Sequence, residues 1–140
     1  MAAADVAAVV EIEQQFLSPW TKVLVSAELG RNSGISLVAE KDDVFVGWCC
    51  GMLLPPEAEL LKIAVSQDSQ RLGAGTLLLK SFTQIAAENG VEKIFLELRA
   101  ANTAALRLYQ QFGWQQQGIR KNYYTNPADD AILLHRSLKQ

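Results

Sequence analysis

Apolar positions in the first half of the chain recur first at helical spacing and then in strand-like runs. Val6 and Val9 fall on one side of a helix that Asp5 can cap and Pro19 stops. The predicted elements are helices at residues 5–16 and 21–29 and strands at residues 35–40, 44–54 and 59–65. A polar turn joins the first two strands into an antiparallel hairpin, and a proline-containing break at residues 55–57 precedes the third.

The second half of the chain alternates strands and helices. The amphipathic run that follows Gly75 ends at Asn89 and Gly90, which are typical of helix C-termini. Asn102 is well suited to cap the helix after it. The predicted elements are helices at residues 76–88 and 103–111 and strands at residues 93–99, 115–122 and 131–138. This order predicts one mixed α/β domain over residues 1–140, with one strand–helix–strand–helix unit and a closing pair of strands.

Composition narrows the expected partners. The 140 residues are 49% hydrophobic with a formal net charge of −2, so the chain has no general basic field for nucleic acid. The apolar start is short and runs into acidic residues, which argues against a secretion signal or a membrane span. Cys49 and Cys50 are adjacent and His135 is the only histidine, so we expect a cytoplasmic protein without a metal site. A small ligand or another protein is the expected partner.

A glycine-containing turn joins the third strand to the third helix. Such a turn directs backbone N–H groups and the positive helix end toward one point, which favours an anion, although Gly73 and Gly75 alone are equally consistent with a tight bend. Thr76 stands where a nucleotide P-loop has lysine. A dinucleotide-binding fold would have a third glycine at position 78, where this chain has Leu78. Glu97 does fall near the position expected of the acid that binds the ribose. However, only one further strand–helix unit follows the turn, fewer than such a fold normally has.

Several motifs, in the same order, resemble those of the GNAT superfamily of acetyltransferases. QRLGAG at residues 70–75 matches the signature Q/R-x-x-G-x-G/A. FLELRAAN at residues 95–102 and ALRLYQQFGW at residues 105–114 are similar to the strand and helix that follow that signature. RKNYY at residues 120–124 and SPWT at residues 18–21 resemble the RimI-type branch, the ribosomal-protein-alanine N-acetyltransferases. The resemblance covers most of the chain.

The resemblance implies a central, mostly antiparallel sheet that is flanked by helices and splayed at an acetyl-CoA site. The splay would separate the strand at residues 59–65 from the strand that contains Glu97. The residues implied in acetyl-CoA binding are Ile63, Ala64, Val65, Gln70, Arg71, Leu72, Gly73, Ala74, Gly75, Thr76 and Asn102. GNAT domains usually begin with a strand, whereas here the helix at residues 5–16 is expected first, so that strand is short or missing.

The resemblance also implies two catalytic residues and direct transfer in a ternary complex. Glu97 would act as general base toward the amine, and Tyr109 would act as general acid toward the leaving thiolate. Both roles suit acyl transfer from a thioester to an amine, which needs a neutral nucleophile and a proton for the leaving group. Without the resemblance, an exposed strand acid and a core aromatic are the commoner interpretations of these two residues.

The acceptor implied by the resemblance is a protein N-terminus, in particular the N-terminal alanine of a ribosomal protein. Tyr123 and Tyr124 would border it, and we expect both in a turn between the last two strands, where tyrosines are otherwise ordinary half-exposed aromatics. An acetyltransferase for lysines or small amines, and a CoA-binding regulatory module without turnover, remain alternatives. The sequence leaves the oligomeric state open.

Overall fold

The computed structural model describes residues 1–70 and 73–138. In chain order the helices are α1 (Val6–Glu13), α2 (Lys22–Leu29), α3 (Ala74–Glu88) and α4 (Thr103–Gln111). The strands are β1 (Gly34–Lys41), β2 (Val44–Leu54), β3 (Glu57–Val65), β4 (Lys93–Arg99), β5 (Gln115–Tyr124) and β6 (Asp129–Ser137). Short 3-10 turns lie at Ala3–Asp5 and Gln67–Ser69. None of the helices in the described ranges has the length and hydropathy needed to cross a bilayer.

The predicted helices and strands are all present, with several boundary corrections. The first helix ends at Glu13 rather than at residue 16, well before Pro19, and no strand precedes it among the described residues. Glu57 does not break the chain but begins β3, because it pairs with a residue on each neighbouring strand. Tyr123 and Tyr124 do not lie in a turn; they end β5, where Tyr124 pairs with Asp129 of β6.

The six strands form one sheet in the order β1-β2-β3-β4-β6-β5. All neighbours are antiparallel except β3 and β4, which run parallel. That parallel pairing covers only residues 57–59 of β3 and residues 93–95 of β4. Since β2 and β6 continue to pair with the rest of these two strands, the sheet opens between β3 and β4 while both strands stay in place.

Both faces of the sheet are covered near its centre. On one face α3 and α4 enclose a core that includes Phe82, Ile94 and Trp114, and on the other α1 and α2 pack over Trp48. The middle of β2 is buried on both sides, which explains its continuous apolar run. The centre of the sheet therefore lies between two helical layers.

Glu13, at the end of α1, is a fully buried carboxylate. It accepts hydrogen bonds from the backbone N–H of Trp20 and the indole Nε1 of Trp48, each at 2.9 Å. The Nζ of Lys62 on β3 lies 3.3 Å from its Oε1. A buried charge is tolerated only when it is paired and hydrogen-bonded, and this one ties α1, the following loop, β2 and β3 together.

Candidate active site

The opening between β3 and β4 exposes backbone groups on the inner edge of β3. Ala64 directs its carbonyl toward β2, since a Cβ added to Gly47 would lie 2.9 Å from that oxygen. Neighbouring residues in an antiparallel ladder alternate in direction, so the N–H and C=O groups of Ile63 and Val65 point into the opening. A ligand with amide groups can pair with them as an added strand would.

The turn after β3 leads into the N-terminus of α3. Gly73 has φ +87°, a left-handed conformation that favours glycine, and a Cβ there would meet nothing within 4 Å. At Gly75 an added Cβ would make only ordinary contact, 3.6 Å from a Val65 methyl, which explains why alanine also suits this position of the motif. Gln70 donates from its side-chain amide to the Val65 carbonyl at 3.3 Å.

The N-terminus of α3 is open to a ligand. No side chain of the described residues caps it, so the first-turn N–H groups of Ala74, Gly75 and Thr76 remain available together with the positive end of the helix dipole. Arg71 and Leu72, two of the predicted acetyl-CoA contacts, lie outside the described residues. An anionic group suits this turn, and a chain of amides suits the adjacent opening.

A cleft of about 360 Å³ lies on the α1–α2 face of the sheet, against the paired part of β3 and β4 and extending to Glu97. Its walls combine apolar side chains with three carboxylates and one guanidinium. The residues that define this character are Met52, Leu54, Phe95, Glu57, Glu59, Glu97 and Arg120. Because carboxylates outnumber the cation, the cleft suits a cationic group with some apolar surface.

Glu97 lies in the part of β4 that pairs with β6 but not with β3, and its side chain is 24% exposed. The Nε of Arg120 on β5 is 3.7 Å from its Oε1. Interaction with this carboxylate, through hydrogen bonding and its negative charge, raises the pKa of Tyr123 above its ordinary value. The carboxylate is thus accessible from the cleft and oriented from β5.

Glu59, another carboxylate of the cleft, also interacts with Glu97. Partial burial and then the charge of Glu97 raise its pKa, while Arg120 opposes the shift. Sequence reasoning did not single out Glu59 or Arg120 as neighbours of Glu97. Strand pairing brings both residues close to Glu97. Glu59 pairs with Phe95 on β4, and Arg120 lies on β5, which pairs with β6 next to β4.

Tyr109 extends from α4 into the core, where it is 6% exposed and meets Trp114 edge-on with ring centroids 5.5 Å apart. Burial raises the pKa of its phenol, and the nearby Cys49 adds to the shift. Tyr109 thus lies near Cys49, which pairs with Ile63 on β3 beside the opening. The phenol stays protonated at neutral pH, as a proton donor must.

Glu97 and Tyr109 lie on opposite faces of β4. Leu96 and Leu98, which alternate with Glu97, belong to the same core cluster as Tyr109. Asn102 caps α4 as predicted, with its side-chain oxygen accepting from Ala105 N–H at 3.2 Å. The arrangement therefore offers a proton acceptor on one side of the opening and a proton donor on the other.

Comparison with known proteins agrees with this geometry. The profile of the acetyltransferase (GNAT) family matches residues 6–114. A Bacillus subtilis protein named as a candidate ribosomal protein bS18-alanine N-acetyltransferase is 36% identical over 132 residues, 93% of this chain and 87% of that protein. The ribosomal protein bS18-alanine N-acetyltransferase of Salmonella typhimurium is 33% identical over 133 residues, 93% of this chain and 89% of that protein.

Solved structures resemble the whole fold. The crystal structure of the ribosomal-protein-S18-alanine N-acetyltransferase from Escherichia coli superimposes with a TM-score of 0.91 at 29% identity, covering 100% of this chain and 92% of that one. A GNAT family acetyltransferase from Elizabethkingia anophelis, solved with acetyl-CoA bound, gives a TM-score of 0.73 at 26% identity and covers 84% of each chain.

Proposed function

Since the chain belongs to the acetyltransferase (GNAT) family, we propose that it transfers an acetyl group from acetyl-CoA to the α-amine of a protein N-terminus. The proposed acceptor is the N-terminal alanine of a ribosomal protein in the cytoplasm. The Salmonella and Escherichia coli relatives that support this choice are named as alanine N-acetyltransferases of ribosomal protein bS18 and ribosomal protein S18, respectively. The observation that carries the proposal is the opening between β3 and β4, with Glu97 on one face and Tyr109 on the other.

The residues present fit acetyl-CoA. The uncapped N-terminus of α3, preceded by Gly73 in a left-handed conformation, would hold the pyrophosphate through backbone N–H groups. The backbone of Ile63 and Val65 would pair with the amides of the pantetheine arm, and Asn102 at the start of α4 would lie beside it. When bound, acetyl-CoA supplies a thioester whose acetyl carbon an amine can attack.

Proton transfers are assigned to two side chains. A carboxylate oxygen of Glu97 takes a proton from the acceptor ammonium or amine, directly or through one water, so that a neutral amine attacks. The Tyr109 hydroxyl gives its proton to the departing sulfur. A backbone N–H of β3 near Ile63 would bind the oxygen that becomes negative during attack.

The state of the cysteines supports direct attack without a cysteine acyl-enzyme. Burial raises the pKa of the Cys49 thiol to about 12. Burial also raises the pKa of Cys50, and the neighbouring Glu28 adds to the shift. Both side chains are fully buried, so neither is an accessible thiolate nucleophile at neutral pH.

The function is tested with short peptides that begin with alanine, serine or methionine and carry an internal lysine. We expect the protein to transfer the acetyl group of acetyl-CoA to the α-amine of the alanine peptide. Mass spectrometry with fragmentation locates the added group. Modification of the lysine side chain alone would instead indicate a lysine acetyltransferase. Binding of acetyl-CoA with no acetylation of any peptide would argue for small amines or for a regulatory module.

Tyr109→Phe is expected to lower the rate of the chemical step about 10- to 30-fold, below the usual range of general acid effects because a thiolate is a weakly basic leaving group. The phenylalanine ring preserves the packing against Trp114, so the melting temperature should hardly change. Single-turnover kinetics measure the step directly. An unchanged rate in that experiment would remove Tyr109 from the acid role.

A further inference from the structure

We propose that Arg99 is a positioning residue that fixes two loops at the acceptor side of the site. The first is the Ser18 loop, residues 14–21, between α1 and α2. The second is the β5–β6 turn, residues 125–128. This inference rests on the proposed function, because it concerns how the acceptor is bound. Arg99 ends β4 two positions after Glu97 and therefore shares its face of the sheet.

The guanidinium of Arg99 donates to both loops at once. Its Nη1 lies 2.8 Å from the Pro127 carbonyl oxygen, and its Nη2 lies 3.3 Å from the Thr125 carbonyl oxygen. The same Nη2 donates to the Ser18 hydroxyl at 2.5 Å, across 81 positions of sequence. Within the described residues, hydrogen bonds that link one loop to the other run through this side chain.

A second set of contacts leads from Arg99 to Glu97. The guanidinium carbon lies 4.5 Å from the centroid of the Tyr124 ring, within the range of a cation–π interaction. The Tyr124 ring meets the Tyr123 ring edge-on, with centroids 5.1 Å apart. Tyr123 in turn lies close enough to the Glu97 carboxylate for the two groups to interact. Arg99 thus supports the two tyrosines and, through them, the candidate base.

Each loop contains a residue whose backbone conformation such contacts would stabilise. Ser18 has φ +53° and Asn126 has φ +51°, left-handed conformations that residues other than glycine adopt rarely. Such residues persist where surrounding contacts fix them, and they cluster at binding sites. Arg99 contacts Ser18 itself and the residues on both sides of Asn126. The hydrogen bonds of Arg99 are therefore made at, or directly beside, the two residues in the left-handed conformation.

Only arginine provides this set of contacts. Its planar fork holds several donors in fixed directions and stacks on an aromatic face, whereas lysine offers a single ammonium on a flexible stem. Arg99→Lys keeps the positive charge and most of the volume but loses the simultaneous bonds to both loops. It is therefore the informative variant, and Arg107→Lys, on an exposed part of α4, is the matched control.

For Arg99→Lys we expect the KM for the alanine peptide to rise about tenfold, since small displacements of binding groups weaken productive binding, while the KM for acetyl-CoA stays within about twofold. Amide hydrogen exchange should accelerate in the Ser18 loop and in the β5–β6 turn together. Exchange in α3 should remain at the wild-type rate, and Arg107→Lys should match wild type in every measurement.

Three results would overturn the proposal: unchanged exchange in both loops, faster exchange in one loop alone, or a uniform increase that includes α3. An equal rise in the KM for acetyl-CoA would do the same, because the effect would not be specific to the acceptor. If the wild-type protein acetylates no peptide, the proposed function fails, and the exchange data still decide whether Arg99 holds the two loops together.

Discussion

Glu97→Gln is expected to lower kcat by about 10²- to 10³-fold, the range typical of removing a positioned general base. The amide has nearly the same shape but cannot accept the proton of the amine at neutral pH. The dissociation constant for acetyl-CoA should stay nearly unchanged, because the proposed cofactor contacts lie on β3, the following turn and α4. Steady-state kinetics and calorimetric titration with acetyl-CoA measure the two quantities separately.

The pH dependence distinguishes a base from a residue that only shapes the cleft. A general base works only when deprotonated, so wild-type kcat/KM should fall at acid pH, and the variant should lose this dependence. Glu11→Gln, on an exposed position of α1, is the matched control and should behave as wild type. A variant with the wild-type pH–rate profile would remove Glu97 from the base role.

Glu59→Gln tests the neighbouring carboxylate of the same cleft. Glu59 pairs with Phe95 on β4 and lies close enough to Glu97 for their charges to interact. If Glu97 is the base, the Glu59 variant should lose far less activity than the Glu97 variant under the same conditions. The reverse order of effects would transfer the base role to Glu59.

Glu13→Ala is expected to lower the free energy of unfolding by about 3 kcal/mol, at the lower end of the cost of breaking a buried ion pair. The substitution leaves the Trp48 indole N–H and the Trp20 N–H without their acceptor, and Lys62 without its counterion. The lower end applies because the Lys62 side chain is 19% exposed and keeps some contact with water. Urea unfolding followed by tryptophan fluorescence measures the change.

Glu13→Gln is the control for this loss of stability. Glutamine retains an acceptor oxygen for one of the two N–H donors and fills the same volume, so it should cost less than alanine. A Glu13→Ala protein within about 0.5 kcal/mol of wild type would show that Lys62 and the two tryptophans find other partners. The Glu97 variant should keep wild-type stability in the same experiment, because Glu97 lies at the edge of a cleft and not in the core.

The order of helices and strands follows from local information in the sequence. Apolar residues at helical spacing predicted α3, and a continuous apolar run predicted β2, because each element buries a face that its own sequence defines. The turn before α3 could also be anticipated, since Gly73 and Gly75 between a strand and a helix favour an anion site. The ordered motifs around Glu97 and Tyr109 then indicated the family to which the chain belongs.

Other features depend on residues that are far apart in the sequence. The opening between β3 and β4 arises because the two strands pair over three residues and are then held apart by β2 and β6. The burial of Glu13 depends on Trp48 and Lys62, and the place of Tyr124 depends on pairing with Asp129. No local spacing encodes these contacts.

The sequence by itself therefore determined the elements, the glycine-containing turn before α3 and the ordered motifs that indicate the family. Tertiary structure decided where the candidate residues lie relative to one another. Glu97 and Tyr109 lie on opposite sides of β4, and Arg99 connects the Ser18 loop with the β5–β6 turn. The physical reason is that periodicity and turn chemistry act over a few neighbouring residues, whereas strand pairing and buried polar contacts are fixed when distant segments pack together.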